Sequence, residues 1–246
     1  MLLFCIYLCS QICVVSGLCL KDQRSLLLQV KSELLVTDYY NQSYSTKLVN
    51  WNESIGCCEW SGVTCDDEGH VSGLDLSEEW INGGFDNSSS IFSLKHLQSL
   101  NLAFNDFRST IPSGFNKLEN LTYLNLSNAW FIGQVPSDEI SHMTRLVTLD
   151  ISAFLDLSII NLGDLVKNLV NIRQLYLDGV NISVGGEEWI SALLQIPTLQ
   201  ELSMSDCQLW GPLESSLTRL ENLSLIRLDS NFSHPPCQKP LPTLKT

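Results

Sequence analysis

Basic residues are scarce in this chain: 14 Lys and Arg stand against 27 Asp and Glu, a formal net charge of −13 over 246 residues. So acidic a chain repels nucleic acid and anionic membrane surfaces, which removes both from the expected partners. The charge suits a basic peptide or protein partner, although a solvated surface is its plainer use. Beyond residues 2–18, no stretch approaches the roughly 20 apolar residues that cross a bilayer. There is no phosphate loop, kinase motif or nucleophile elbow. The four histidines, His70, His96, His142 and His234, fall in separate parts of the chain with no Ser or Cys partner nearby. The cysteine spacings contain no CxxC pair of pairs, which argues against structural zinc. An enzyme is not expected, nor a metal or cofactor.

Residues 2–18 are apolar and end in Val15, Ser16 and Gly17, the pattern of a secretory signal peptide without the usual early Lys or Arg. Cleavage near Ser16 or Gly17 would leave Cys19 close to the mature N-terminus and remove Cys5, Cys9 and Cys13. The alternative, an N-terminal anchor, is disfavoured by the short run and the missing basic flank. Eight N-glycosylation sequons support export: Asn41, Asn52, Asn87, Asn120, Asn125, Asn181, Asn222 and Asn231. The expected location is secreted or on the extracellular face of the plasma membrane, where Cys19, Cys57, Cys58, Cys65, Cys207 and Cys237 meet an oxidising compartment.

Leucine, by contrast, is abundant and regularly spaced. The phrase leucine, two residues, leucine, one residue, leucine is clearest at Leu97-Leu100-Leu102, Leu121-Leu124-Leu126, Leu199-Leu202-Met204 and Leu223-Ile226-Leu228. Weaker copies begin at Val71, Leu146 and Ile172. The anchors at 71, 97, 121, 146, 172, 199 and 223 are spaced by 26, 24, 25, 26, 27 and 24 residues. This period and phrase mark leucine-rich repeats, whose coils bury their apolar faces only against one another. The expected fold is α/β: a right-handed leucine-rich-repeat solenoid of about seven coils over 71–233, with a parallel concave β-sheet. Residues 234–246 are expected to be an irregular tail.

Residues 19–70 read as an N-terminal cap over the open end of that column. Asp22 can cap a helix with an apolar stripe of Leu26, Leu27, Val30, Leu34 and Leu35. A dense cluster follows, with Trp51, Cys57, Cys58, Trp60, Gly62, Val63 and Cys65. Vicinal Cys57 and Cys58 are poorly placed to bridge each other. Of the pairings that remain, the expected scheme is Cys19–Cys57 and Cys58–Cys65.

The segment Trp51 to Cys65, Trp-(x)5-Cys-Cys-x-Trp-x-Gly-Val-x-Cys, resembles the N-terminal cap of plant leucine-rich-repeat receptors. Asp22 to Leu28 matches the same cap. Repeat tails of the Leu-x-Gly-x-Ile-Pro kind stand at Phe107 to Pro112, Phe131 to Pro136 and, in part, Leu209 to Pro212. Arg173 to Asp178 and Glu201 to Asp229 look closest to receptor-like proteins of the Verticillium wilt resistance type. The resemblance implies a receptor in pathogen perception and defence that recognises an extracellular peptide or protein and signals through a receptor-kinase co-receptor. Such receptors carry more repeats, a C-terminal cap and a membrane span, so the chain is expected to be an N-terminal fragment with an uncapped last coil. A secreted inhibitor of cell-wall-degrading enzymes, similar to polygalacturonase inhibitors, and a soluble decoy are the alternatives.

Two features depart from the regular pattern. The Asn or Cys ladder position, eight after each anchor, holds Asn105, Cys207 and Asn231, but elsewhere Glu79, Ala129, Phe154 and Val180. Coils without the ladder amide are expected to be less regular. Longer repeats occur around Ile151–Leu165 and Gly185–Leu194, and Glu187 to Leu194 looks like a convex-side helix.

Side chains between the leucines alternate outward. One column reads Asp75, Asn101, Asn125, Asp150, Tyr176, Ser203, Arg227. The column before it reads Gly73, Ser99, Tyr123, Thr148, Gln174, Glu201, Leu225, and the one after includes Asp178 and Asp229. From these the candidate ligand contacts are Asp75, Asn101, Tyr123, Asp150, Tyr176, Asp178, Glu201, Arg227 and Asp229. Asp75 and Asp150 lie three coils apart, about 14 Å, too far for a glycosidase carboxylate pair. Trp80, Trp130, Trp189 and Trp210 are expected to fill core or edge gaps, His96 and His142 to face solvent, and Cys207 to be a buried free thiol.

Overall fold

A computed structural model describes residues 18–231 apart from 37, 40, 41, 44, 154–156, 183–187 and 211–218. The signal segment, Asn41, Phe154, Pro212, His234, Cys237 and the expected tail lie outside the described residues. The main sheet has eight strands. An antiparallel strand from the cap, β1 (Val63–Cys65), pairs with β2 (Val71–Asp75). Six further strands continue in parallel: β3 (Ser99–Asn101), β4 (Tyr123–Asn125), β5 (Thr148–Asp150), β6 (Gln174–Tyr176), β7 (Glu201–Ser203) and β8 (Leu225–Arg227).

The register follows the repeat phrase. Asp75, Asn101, Asn125, Asp150, Tyr176, Ser203 and Arg227 are successive partners across the sheet. The middle residue of each strand points inward, so Leu100, Leu124, Leu149, Leu175 and Leu202 are fully buried. That inward stripe opens at its far end, where Ile226 is 42% exposed. Backbone pairing continues past the strands, with Leu76, Leu102, Leu126, Ile151, Leu177 and Met204 each donating N–H to the next coil. Each coil's polar backbone is thereby satisfied by its neighbour.

The chain leaves six of the seven parallel strands through a left-handed residue seven after the anchor, the exception being β5, where that place is Ala153. Glu78, Phe104, Asn128, Gly179, Asp206 and Ser230 hold it with φ between 53° and 74°. Five of these are not glycine, a conformation costing about 1–2 kcal/mol per residue. The next residue can offset that cost. Asn105 Nδ2 donates to the carbonyls of Leu76 and Leu102 at 2.8 and 2.9 Å, and its Oδ1 accepts from Ile81 N at 3.0 Å. Asn231 repeats the pattern towards Met204, Leu228, Cys207 and Leu209. Cys207 occupies the same place as a buried free thiol, donating to the Leu177 carbonyl at 3.0 Å. Burial pushes this thiol's pKa up to about 12, which leaves it chemically inert.

The expected irregularity of the other coils is corrected for their strands. Ala129 and Val180 are buried without a ladder amide, yet the register runs unbroken from β4 through β7. Glu79 is not a gap at all. Its buried carboxylate accepts from Ser45 Oγ at 2.5 Å, Thr46 Oγ1 at 3.0 Å and Lys47 N at 3.1 Å, joining cap to first coil.

In the cap, α1 (Lys21–Glu33) starts at Leu20 with no side-chain cap, so Asp22 stands in its first turn instead of capping it. Leu27, Val30 and Leu34 are buried as expected, but Leu35 is 60% exposed. It lies in a short antiparallel pair, Leu35–Val36 against Ile81–Gly83, and leaves the stripe where the helix ends. Both bridges form, Cys19–Cys57 and Cys58–Cys65. Trp51 and Trp60 stack beneath them at 5.3 Å. Gly62 is confined by its backbone: φ is +82°, and a Cβ there would lie 2.2 Å from the Asp75 carbonyl oxygen.

Between strands, the convex side carries Phe85, Phe92, Phe107, Phe115 and Phe131, whose rings meet at 4.8–6.3 Å. Further along stand three short helices, α2 (Ser137–Ser141), α3 (Leu162–Val166) and α4 (Glu188–Leu193). The last coincides with the helix expected at 187–194, of which Glu187 lies outside the described residues. Asn161 caps α3, accepting from Gly163 N at 2.8 Å.

Candidate functional site

The concave face is built from two outward columns, and the first has a structural duty. Asp75, Asn101, Asn125 and Asp150 each accept the backbone N–H two residues on, from Ser77, Ala103, Ser127 and Ser152, at 2.9–3.1 Å. These Asx turns end the strands. One oxygen of each side chain is therefore committed to the backbone before any ligand arrives.

Three zones result. Near the cap, Lys47 Nζ reaches Asp75 Oδ1 at 3.0 Å and the Ser77 carbonyl at 2.8 Å. Burial raises the Asp75 pKa, but Ser77 and Lys47 outweigh it and the net shift is downward. Asp75 is thus tied into the cap rather than left open on the face. Beside it lies a shallow depression of 510 Å³, floored by Gly73 and rimmed by Thr64, Gln98 and Ser99.

The middle zone is acidic. Asp150 is half-buried, and burial, reinforced by Asp178, raises its pKa. Among the described residues it has no ion-pair partner. Asp178 accepts from Ser203 Oγ at 2.7 Å and Ser205 N at 2.7 Å. At the far zone, the Tyr176 hydroxyl donates to Glu201, and Thr148 Oγ1 donates to Gln174 at 2.6 Å. Burial, then the bond to Glu201, pushes the Tyr176 pKa up to about 12. Tyr176 and then Gln174 hold Glu201 below the usual range. Tyr123 accepts a weak bond from Asn125 at 3.3 Å, while Arg227 and Asp229 are exposed, the Arg227 charge acting on Tyr176 and Glu201.

Asp150 predicts a pH signature. Its folded pKa lies above the unfolded value, so folding binds an extra proton between the two, and the carboxylate costs stability above that window. Asp150→Asn keeps the bond from Ser152 N. It is expected to raise the melting temperature at pH 7 and to leave it unchanged below about pH 3.9, the unfolded Asp value. A variant less stable than wild type at pH 7 would refute the assignment.

Among the sequons, Asn52 and Asn87 are exposed, whereas Asn231 spends both amide hydrogens on the ladder. Asn120 and Asn222 belong to a second column, one residue before the anchors. There Asn120, Asn171, Thr198 and Asn222 donate to carbonyls of the preceding coil at 2.7–3.1 Å. Sequence reasoning passed over this column, although Asn recurs before the anchors Leu121, Ile172 and Leu223. The same column brings His70 and His96, which stand in different coils as expected, into ring contact with each other. The aromatic expectation also needs correction. Trp189 is buried, but Trp80 and Trp130 are 57% and 49% exposed, with Arg108 placed 5.9 Å over the Trp130 ring.

A capped parallel solenoid of this kind, held by two disulfides, is a leucine-rich-repeat ectodomain. The leucine rich repeat N-terminal domain family matches residues 20–66, and leucine rich repeat families match residues 95–153 and 198–220. Receptor-like protein 6 of Arabidopsis thaliana is 34% identical over 87% of this chain and 23% of its own length. Receptor-like protein Cf-9 of Solanum pimpinellifolium is 37% identical over 87% of this chain and 26% of its own length. The chain belongs to the plant leucine-rich-repeat receptor-like proteins and spans about a quarter of these relatives. The matches bear on that family and not on its Verticillium subdivision. The ectodomain of the Arabidopsis thaliana receptor kinase GASSHO1/SCHENGEN3, solved in complex with CASPARIAN STRIP INTEGRITY FACTOR 2, superposes with a TM-score of 0.64. At 24% identity over 85% of this chain and 24% of that one, this likeness carries the fold alone. Among the described residues, no helix is long and apolar enough to cross a membrane.

Proposed function

We propose that this chain is the ligand-recognising part of a plant receptor-like protein in pathogen perception and defence. In this reading its concave face binds an extended extracellular peptide or protein segment that carries a basic group, and it catalyses nothing. The observation that supports it is Asp150, a half-buried carboxylate with no ion-pair partner among the described residues, kept on the open face at a cost to stability. Tyr176 and Tyr123 flank it as amphipathic contacts. Seven parallel strands span roughly 29 Å, room for a short extended segment. A receptor-kinase co-receptor, the partner implied by the resemblance to receptor-like proteins, completes the proposal.

Panning a random-peptide display library on the secreted protein tests this reading. The enriched peptides are expected to carry Lys or Arg and to bind Asp150→Asn at least about tenfold more weakly, the low end for losing one partner of a partly buried charge pair. Enriched peptides that lack basic residues, or that bind the variant equally well, would overturn it.

A further inference from the structure

The two histidines that precede Val71 and Leu97 occupy equivalent places in adjacent coils. Their rings are stacked with centroids 3.7 Å apart and planes 9° from parallel. Beside them stands Asp66, in the hairpin between β1 and β2. Asp66 Oδ1 accepts from Glu68 N at 3.1 Å and His70 N at 2.8 Å, while Oδ2 lies 3.2 Å from His70 Nδ1. The hairpin is closed by Asp66 N to the His70 carbonyl at 2.9 Å and by Gly69 at φ +87°. One ligand atom from each of Asp66, His70 and His96 lies within 4.8 Å of the others.

We propose that Asp66, His70 and His96 form a divalent-cation site of the zinc class on the lateral edge of the solenoid, where the cap hairpin meets the second coil. The chemistry of the donors selects the ion: two imidazoles and one carboxylate suit zinc, copper or nickel, whereas calcium and magnesium seek oxygen alone. Ligands about 2.0–2.2 Å from a tetrahedral ion stand about 3.3 Å apart. Asp66 Oδ2 and His70 Nδ1 are already at that separation. His96 must close the remainder. Its imidazole lone pair lies in the ring plane, so the ring turns out of the stack to present a nitrogen, and its exposure leaves room for that turn. The other two ligands are half-buried and held by backbone hydrogen bonds, which keeps two thirds of the site in place without the ion. Bound metal would tie residues 66–70 to residue 96 across two structural units and stabilise the junction by mass action. Among the described residues the other cluster of metal-binding atoms is Cys19, Cys57 and Cys58, all of which are occupied in disulfides.

Zinc titration of the tag-free secreted protein by isothermal calorimetry tests the site, with ring-nitrogen NMR of the histidines as a second readout. The expected result is one zinc per chain, shifts at both His70 and His96, and a higher melting temperature that a chelator reverses. His96→Ala removes an exposed side chain and leaves the hairpin intact. It should weaken zinc by more than the roughly 10–100-fold typical of losing an outer-shell partner, with the zinc-free melting temperature unchanged. Asp66→Asn, which keeps an oxygen for the turn amides, should weaken it as well. Absence of binding at millimolar zinc, or equal binding by wild type and His96→Ala, would overturn the proposal.

Discussion

Glu79→Ala is expected to destabilise the junction between cap and first coil by about 3–5 kcal/mol, the range for leaving buried polar partners uncompensated. Glu79 is 1% exposed and is the shared acceptor for a loop more than thirty residues earlier in the chain. Its removal strands the buried Ser45 hydroxyl hydrogen and the half-buried Lys47 N–H. Leu48 N, only 3.5 Å from Glu79, keeps Ser45 Oγ as its acceptor at 3.2 Å. Every group facing Glu79 is a donor, so Glu79→Gln should recover only part of the loss: its amide nitrogen must point at donors whichever way it flips. Urea unfolding monitored by tryptophan fluorescence is suited to this test, because Trp51 and Trp60 sit in the same cap. A Glu79→Ala protein within about 0.5 kcal/mol of wild type, the ordinary range for an inconsequential surface change, would show that the network is incidental.

Removal of the cap disulfides is expected to have unequal effects. Cys19–Cys57 spans a sequence separation of 38 residues and Cys58–Cys65 one of 7. A cross-link restricts the unfolded chain more as the loop it closes lengthens, giving about 4 kcal/mol for the first and about 2 kcal/mol for the second. The paired variants Cys19→Ser/Cys57→Ser and Cys58→Ser/Cys65→Ser avoid stray thiols and can be compared by denaturant midpoint. The first should be the less stable by about 1.5 kcal/mol. The opposite order would mean that packing around Cys58 and Cys65, and not chain entropy, dominates the cap.

The parts of this protein that repeat were readable from its residues. Leucine spacing sets which side chains enter the column, and the alternation of β-strands then places Asp150, Tyr176 and Glu201 on one face with the observed partners. The cap bridges were readable in part: excluding a Cys57–Cys58 bridge leaves two pairings of the four cap cysteines, of which Cys19–Cys57 with Cys58–Cys65 forms. Contacts between unlike units were less legible. Lys47 reaches Asp75 across 28 residues from a polar stretch with no periodicity, so nothing local announced that Asp75 would be taken. Glu79 looked like a missing ladder residue because the ladder was read as one amide per coil, whereas the cap supplies donors that only a carboxylate satisfies. The pairing of His70 with His96 was different: both stand one residue before an anchor, so the frame already contained it, but only inward and concave positions had been followed across the coils. The exposure of Trp80 and Trp130 depends on the left-handed turns after the strands, which composition does not reveal.

The Asx turns divide the concave face into a constrained and a free alphabet. A residue at the place of Asp75, Asn101, Asn125 or Asp150 must keep a short acceptor for the amide two positions on. A substitution there alters the face and the fold together. The preceding column, with Ser99, Tyr123, Thr148, Gln174 and Glu201, lies outside the turns. It can be rewritten coil by coil while the buried leucines stay as they are. New ligand preference can therefore arise by drift in one column while the strand-ending turns stay intact, and the diversification of such a surface should be concentrated there.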